Sequence, residues 1–275
     1  MFHGFLLTVI ACLSSCIEFK ISDEEAKEAL NESSADIHFA NLQVDGRNMH
    51  YAYTKGGKEA LVVFVHGSPG SWSAFIDYFK ADSLLKKVDF LAVDRAGFGN
   101  SGYGTAEPSI EKQAMQIKEV IDQFAHARKI LIGHSLGGPV IARMAMDYPQ
   151  DFDGLVLVAP SIDPEMEKDE WYRKLIKTKV GGAFTPKEFE VSNDEILPLK
   201  EELELMLPLW KRIQIPTILI QGTKDKLVPK ENADFAIKMM PDSLLDVRLL
   251  EGVNHFIPWG QSEEITKAIQ QLNGF

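Results

Sequence analysis

The sequence predicts an α/β protein: a mostly parallel, doubly wound sheet of eight strands, with a small helical cap inserted between strands six and seven. Short apolar runs alternate with amphipathic stretches along most of the 275 residues, as in sheets that carry helices on both faces. Several runs are apolar throughout, which is typical of strands buried in a parallel sheet. Polar and glycine-rich segments follow these runs, at the strand ends where such sheets bind ligands.

The first two strands are predicted to form a hairpin, because Asp45-Gly46 separates two alternating runs. The other strands are continuous apolar runs, and the stretches between them have helical spacing. The eight predicted strands are 36–44, 48–54, 61–65, 88–93, 129–133, 155–158, 216–221 and 244–250. The predicted helices outside the cap are 72–80, 109–126, 136–147, 230–240 and 262–273.

One stretch, residues 161–212, breaks this alternation. It holds many charges, two tryptophans and helix-like segments at 165–178 and 198–212. A structureless segment of this length is rare in a compact domain. We therefore interpret 161–212 as a helical cap, and 36–160 together with 213–275 as the core domain. The alternative is a long crossover without a role.

The N-terminus is predicted to be a targeting segment. Residues 1–15 carry no charged side chain and contain an apolar run that is too short to span a bilayer. The following Leu13-Ser14-Ser15-Cys16 resembles the cleavage site of bacterial lipoprotein signals. That resemblance implies that 1–15 is removed, that Cys16 is lipidated, and that the protein is exported and anchored to a bacterial membrane. The start has no Lys or Arg, whereas such signals usually carry positive charge there. The alternatives are a buried apolar segment in a cytoplasmic protein and a misassigned start codon.

Residues 16–35 are predicted to form a short helix or a polar tether between anchor and domain. Ser22 and Glu25 have the spacing of a capping box, which favours a helix that starts at this point.

Composition and charge exclude several classes of protein. The hydrophobic share of 45% and the charged share of 25% are ordinary for a globular domain. They exclude a disordered tail protein, a collagen-like rod and a polytopic membrane protein. The net charge of −11 disfavours a nucleic-acid partner, because an acidic chain repels phosphate backbones. The two cysteines, Cys12 and Cys16, allow at most one disulfide bridge, and no Cys/His cluster has the spacing of a zinc site. No metal and no organic cofactor is implied.

The central motif is Gly133-His-Ser-Leu-Gly137, a G-x-S-x-G between a predicted strand and a predicted helix. This context is the one that a nucleophile elbow requires, since the serine stands on a tight turn and the glycines let strand and helix approach each other. Ser135 is therefore the candidate nucleophile.

A serine hydroxyl needs a base, and the base needs an acid that orients it. In this kind of fold the three residues follow the chain order serine, acid, histidine. Asp225 follows strand seven and His255 follows strand eight, so both satisfy the order and the expected strand ends. We predict the catalytic set Ser135, Asp225 and His255.

Acyl transfer also needs donors for the developing oxyanion. The N–H groups of Leu136 and Ser68 are the candidates, in the turn after Ser135 and in the loop after strand three respectively. We expect His66, Gly67 and His134 to shape these loops.

Other charged and titratable residues are expected to be structural. Asp94 and Arg95 are interpreted as a turn that braces the site rather than as a catalytic ion pair. The remaining histidines His38, His50 and His126 are expected at the surface, because no motif surrounds them.

These motifs resemble the α/β-hydrolase superfamily, specifically its small members with a cap between strands six and seven. The resemblance covers about 50 to 273 and rests on H-G-S-P-G, D-R-A-G-F-G-N-S, G-H-S-L-G-G, the loop at 222–229 and G-V-N-H-F. Within the superfamily, haloalkane dehalogenases and epoxide hydrolases carry Asp where this chain has Ser135. Proline iminopeptidase relatives usually carry a different oxyanion loop and elbow. Both differences argue against these branches.

The sequence predicts a serine hydrolase that cleaves carboxylic esters or related acyl substrates through an acyl-enzyme on Ser135. The expected partners are a small acyl substrate and, through the lipid on Cys16, a membrane. A carbon–carbon bond hydrolase, a thioesterase or a lactonase with the same residues remains open, as does a non-catalytic binding protein on the same scaffold. The natural substrate and the oligomeric state stay open.

Overall fold

An eight-stranded sheet forms the centre of the computed structural model, which describes residues 19–168 and 171–275. The spatial strand order is β1-β2-β4-β3-β5-β6-β7-β8. The pairs β1–β2 and β2–β4 are antiparallel, and all the other neighbouring pairs are parallel. The predicted eight-stranded, mostly parallel sheet is confirmed. The strands are β1 (Ile37–Val44), β2 (Arg47–Thr54), β3 (Ala60–Val65), β4 (Val88–Val93), β5 (Arg128–His134), β6 (Gly154–Val158), β7 (Thr217–Gly222) and β8 (Leu245–Leu250).

The β1–β2 hairpin turns at the predicted dipeptide. Asp45 has φ +49° and Gly46 has φ +73°, so both central residues take the left-handed conformation that two-residue hairpins prefer. Val44 then pairs with Arg47 in the antiparallel register.

Helices cover both faces of the sheet and explain its continuous apolar strands. In β3, Leu61, Val63 and Val65 pack into one apolar core, while Val62 and Phe64 pack into the other. Alternate side chains of a strand point to opposite faces, so a strand buried on both sides has no polar position. Outside the cap the helices are α1 (Asp23–Ala29), a 3₁₀ helix (Trp72–Lys80), α2 (Asp82–Leu85), α3 (Ile110–Ile121), α4 (Gly137–Asp147), α9 (Glu231–Met239), α10 (Ile257–Gly260) and α11 (Ser262–Asn273).

The segment between β6 and β7 is helical. Its elements are a 3₁₀ turn (Pro164–Met166), α5 (Trp171–Ile176), α6 (Lys179–Ala183), α7 (Lys187–Ile196), α8 (Leu199–Met206) and a second 3₁₀ helix (Leu207–Arg212). The apolar face of α8 and the ring of Trp210 are buried in one of the two cores of the sheet. The cap boundaries at 161 and 212 stay a prediction.

Helix α1 packs against the body of the protein. Its N-terminus is closed by the capping box of Ser22 and Glu25, and Ala26 and Leu30 are buried in a core of the sheet. The predicted signal peptide 1–15 and Cys16 lie outside the described residues. Within the described ranges, no helix is long and apolar enough to cross a bilayer.

Candidate active site

Ser135 stands on a strained turn between β5 and α4. Its φ of +54° lies in the left-handed region, which costs a residue with a side chain about 1–2 kcal/mol. Three backbone hydrogen bonds hold the turn. Ser135 N–H donates to the Val158 carbonyl at 2.9 Å, and the Ser135 carbonyl accepts from the N–H groups of Gly138 at 2.9 Å and Ser161 at 3.3 Å. Such strain persists only where surrounding contacts enforce it, as they do here.

The glycines of the motif allow close backbone contacts. A Cβ on Gly137 would lie 2.3 Å from the Val65 carbonyl oxygen, and a Cβ on Gly133 would lie 2.4 Å from the Gly137 carbonyl oxygen. Both distances are well inside van der Waals contact, so only glycine fits at either position. The turn with Ser135 is therefore pressed against the end of β3.

Asp225 and His255 are joined by a buried hydrogen bond. The Nδ1 of His255 lies 2.7 Å from Oδ2 of Asp225, and the Asp225 side chain is fully shielded from solvent. The other carboxylate oxygen accepts from the N–H groups of Leu227 and Val228 at 2.9 and 2.8 Å. The aspartate, which follows β7, thus fixes the ring of the histidine, which follows β8.

The pKa of Asp225 is lowered despite its burial. Burial alone would raise it, but the hydrogen bond and charge of His255 and the two N–H donors stabilise the carboxylate more strongly. Asp225 is therefore ionised at neutral pH. An ionised partner at Nδ1 keeps the proton there and leaves Nε2 of His255 available as a base.

His134 supports the loop that carries His255. Its Nε2 donates to the His255 carbonyl oxygen at 3.0 Å, and the two rings lie 4.7 Å apart. Burial, with the nearby His255 charge, lowers the pKa of His134 to about 3, so the ring is neutral. His134 adjoins Ser135 in the chain and thereby brings the elbow and the His255 loop into contact. This is the structural role that the sequence suggested for it.

The loop after β3 lies beside Ser135. A Cβ on Gly67 would lie 2.9 Å from the Cβ of Ser135, so the backbone next to Ser68 passes the nucleophile closely. In the described part of the chain, neither Ser68 N–H nor Leu136 N–H donates to a protein acceptor, and the Ser68 hydroxyl is buried without a partner. The oxyanion role of both N–H groups stays a prediction.

His66 locks the shape of that loop. Its Nδ1 donates to the Gly67 carbonyl at 2.7 Å, and its Nε2 accepts from the Arg95 N–H at 2.9 Å. Burial, aided by the Arg95 charge, lowers its pKa well below the ordinary value. A neutral ring with the proton on Nδ1 satisfies both contacts, so His66 shapes the loop, as the sequence indicated.

A model of the alpha/beta hydrolase family matches residues 62–268, most of the chain. The chain belongs to the alpha/beta hydrolase family.

One similar protein is the dihydrolipoyllysine-residue acetyltransferase component of the acetoin cleaving system of Cupriavidus necator. It is 29% identical to this chain over 167 residues, which are 57% of this chain and 44% of that protein. The monoglyceride lipase of Rattus norvegicus is 21% identical over 272 residues, with coverage of 84% and 88%. The solved structure of a membrane phospholipase A, described as a novel bacterial virulence factor, has a TM-score of 0.67 at 18% identity, and the match covers 98% of this chain and 97% of that one. That likeness shows the shared fold. The chain spans less than half the length of the first curated relatives that it matches.

In this alpha/beta hydrolase, Arg95 ties the loop after β3 to the helical segment between β6 and β7. Its guanidinium donates to the carbonyl oxygens of His66 and Gly67 at 2.8 and 2.9 Å. It also makes a two-pronged ion pair with Glu195 of α7 at 2.7 and 2.9 Å, and both side chains are buried. Gln113 of α3 bonds both partners. The sequence offered no signal for Glu195, because the pair spans 100 residues.

Asp94 belongs to a separate network. Its carboxylate accepts from the backbone N–H groups of Trp72 and Asn100 at 2.8 and 2.9 Å and contacts Nδ1 of His50 at 2.8 Å. Asp94 and Arg95 thus use different partners: Asp94 holds the turn after β4, whereas Arg95 holds the loop after β3. Both contacts are structural, as the sequence analysis expected.

The expectation of a surface position is wrong for His50, which is buried, and His126 is partly buried. His50 is 2% exposed and sits between Asp94 and Asp23, and the side chain of His126 is 13% exposed and contacts Asp89 at 3.0 Å. No local motif marks either residue, since their carboxylate partners come from distant segments of the chain.

We expect His50 to make stability depend on pH. Burial opposes its charge, but the hydrogen bond and charge of Asp94 and the charge of Asp23 outweigh burial and raise its pKa above the ordinary 6.5. Its stabilising contribution is therefore complete below about pH 6.5 and is lost as the pH rises through the higher folded pKa. Urea unfolding across this range should show that a His50→Gln variant loses most stability at the acidic end.

The matched control is His38→Gln on the neighbouring strand, whose side chain is 38% exposed. If the free energy differences of both variants from the parent chain followed the same pH curve, the role assigned to His50 would be wrong.

Proposed function

We propose that this protein is a serine hydrolase that cleaves carboxylic esters or related acyl compounds through an acyl-enzyme on Ser135. One observation carries the proposal. Ser135 occupies a strained turn at the carboxyl end of β5, while a buried carboxylate–imidazole pair stands at the ends of β7 and β8 in the same sheet. This combination serves to activate a hydroxyl nucleophile.

In the first half of the reaction, Nε2 of His255 takes the proton of the Ser135 hydroxyl as Oγ attacks the carbonyl carbon. The carbonyl oxygen gains a negative charge, which the N–H groups of Ser68 and Leu136 stabilise. When the tetrahedral intermediate collapses, the carbon–oxygen bond to the leaving group breaks, and His255 returns its proton to that oxygen. An alcohol leaves, and the acyl group stays on Ser135 as an ester.

In the second half, His255 removes a proton from water, and the hydroxide attacks the acyl carbon. The bond to Oγ breaks, His255 protonates Oγ, and a carboxylic acid is released. Asp225 keeps its charge throughout and stabilises the imidazolium that forms twice in each cycle. Two ordered N–H donors at Asp225 make that charge available without reorganisation.

Ester substrates are supported by two of the similar proteins, the monoglyceride lipase of Rattus norvegicus and the membrane phospholipase A. Carbon–carbon hydrolysis, thioester cleavage and lactone cleavage remain alternatives with the same residues. The apolar side chains of the cap do not favour one substrate class, because Leu203, Met206 and Trp210 are buried in the core and Leu207 is exposed.

The proposal is tested with nitrophenyl esters of increasing acyl length, together with a thioester, a lactone and an aryl diketone acid as carbon–carbon substrate. A fluorophosphonate probe then reports which serine is activated, by mass spectrometry of the labelled peptide. We expect ester turnover and a label on Ser135. Turnover of only one of the other three substrates would replace the ester assignment, and a label on a different serine would refute the site.

We also propose that Cys16 carries a lipid after removal of 1–15. The uncharged apolar start and the sequence Leu13-Ser14-Ser15-Cys16 support this. Several acyl chains on one cysteine would hold the protein on a membrane.

We expect the full chain, expressed in a bacterium, to appear in the membrane fraction with an acylated N-terminal Cys16. The substitution Cys16→Ser should abolish the increase in protein mass that the acyl chains cause, because the Cys16 thiol is the group that accepts the lipid. Replacement Cys12→Ser is the matched control and should leave it unchanged, since Cys12 lies in the removed segment. An unmodified, uncleaved parent chain would refute the lipoprotein assignment.

A further inference from the structure

The segment between β6 and β7 presents an exposed apolar surface. Trp171, Leu175, Val180 and Phe184, on or beside α5 and α6, are 71%, 52%, 72% and 79% exposed. Three of them are the most exposed large apolar side chains in the described part of the chain. We call these four residues the cap face. Groups of exposed apolar side chains are typical of surfaces that bind a partner or a membrane.

The cap face lies in a basic segment of an acidic protein. Residues 168–187 contain six basic and two acidic side chains, a net charge of +4, in a chain of net charge −11. Aromatic and aliphatic side chains among lysines and arginines are typical of helices that lie in the interface of an anionic bilayer. Lys177 and Lys187 of this segment form ion pairs with Asp194 and Glu190 of α7. The net positive charge of the segment itself favours a partner that is both apolar and negatively charged.

A cavity beside the cap face is suited to an anionic group. It has a volume of about 250 Å³, and two of its lining residues, Arg173 and Lys174, belong to α5, the helix that carries Trp171 and Leu175. Four basic residues line it, against two glutamates and two apolar residues: Lys168, Arg173, Lys174, Lys200, Glu167, Glu201, Ile196 and Leu197. The headgroup of an anionic lipid carries a phosphate of the matching charge.

The chain also enters the described structure next to this region. The ring of Phe19 packs edge-on against Phe189 of α7, with centroids 5.4 Å apart, and Lys20 lies over the Tyr103 ring at 4.5 Å. Cys16 precedes Phe19 by three residues, which span at most about 11 Å. A lipid on Cys16 would therefore hold α7, which follows the cap face in the chain, near a bilayer surface.

We propose that the cap face docks on the surface of an anionic lipid bilayer. Its four apolar side chains enter the interface between headgroups and acyl chains, and the surrounding lysines and arginines meet the lipid phosphates. The cap face would add a second contact with the bilayer to the lipid proposed on Cys16. The docking does not depend on the proposed ester hydrolysis, nor does the experiment that follows depend on lipidation.

The experiment uses the unlipidated chain 17–275, which contains the whole sheet and both cores described above. Its binding to vesicles is measured by co-sedimentation, with phosphatidylglycerol and phosphatidylcholine in equal parts, and with phosphatidylcholine alone. The test variant is Trp171→Ser, Val180→Ser and Phe184→Ser together. The matched control is Leu205→Ser, Ile237→Ser and Leu249→Ser, which removes apolar side chains that are 65%, 50% and 54% exposed elsewhere. Thermal unfolding verifies that both variants are folded.

We expect binding to the anionic vesicles, at least about tenfold weaker binding for the test variant, and unchanged binding for the control. We also expect weaker binding of the parent chain to phosphatidylcholine alone, because the basic side chains lose their partners. Equal binding to both vesicle types, or equal loss in both variants, would overturn the proposal. Self-association that the test variant abolishes, without vesicle binding, would overturn it and assign the face to a second copy of the chain.

Discussion

Replacement of Ser135 by alanine is expected to lower kcat for ester hydrolysis by about 10⁴- to 10⁶-fold. The variant has no hydroxyl to form the acyl-enzyme, and His255 has no proton to take from it. The oxyanion donors and substrate contacts remain, so KM should change little. The residual rate would come from water attack on the bound ester.

The measurement is steady-state hydrolysis of the best nitrophenyl ester from the panel. His255→Ala should lose a similar factor, and the double variant Ser135→Ala with His255→Ala should lose hardly more than either one, because the two residues act as a unit. Asp225→Asn should also be strongly impaired, because the amide no longer stabilises the imidazolium. A Ser135→Ala protein with undiminished activity would refute the mechanism.

Replacement of Glu195 by alanine should destabilise the protein by about 3–5 kcal/mol, because it leaves the Arg95 guanidinium buried without its counter-charge. The ion pair is completely shielded, with both side chains at 1% exposure or less. This loss is large against a typical unfolding free energy of about 5–15 kcal/mol. Since Arg95 also holds the carbonyls of His66 and Gly67, the loop after β3 should loosen as well.

Urea unfolding of the parent and variant chains measures the effect. Glu195→Gln keeps hydrogen-bond acceptance to Arg95 but not the charge, and should lose less than Glu195→Ala. The matched surface control is Asp77→Ala, which breaks an exposed pair with Lys80 and should cost no more than about 0.5 kcal/mol. A Glu195→Ala protein as stable as this control would contradict the role of the buried pair.

Features that depend on neighbouring residues were predictable. Asp45 and Gly46 form the expected turn, because only residues that tolerate positive φ allow a two-residue hairpin. The glycines around Ser135 indicated a tight strand–turn–helix, and the structure has it. The hydrogen bond between Asp225 and His255 joins residues that the sequence placed after two different strands, and their catalytic roles stay predictions.

Features that depend on distant residues were not predictable. His50 was expected at the surface because the chain around it is unremarkable, yet Asp23 and Asp94 enclose it in the fold. Glu195 has the same sequence surroundings as many surface glutamates of amphipathic helices. Its burial follows from the position of α7 against Arg95, which no periodicity encodes.

By itself the sequence determined the fold class, the eight strands and the turn that carries Ser135, because backbone dihedrals and side-chain periodicity are set by residues close together in the chain. The tertiary structure alone decided the spatial strand order, with β4 between β2 and β3, and the partners of His50, Arg95 and His134. Those contacts join segments that lie far apart in the chain, and they form only when packing brings the strand ends and helices together, so their energies depend on the fold as a whole.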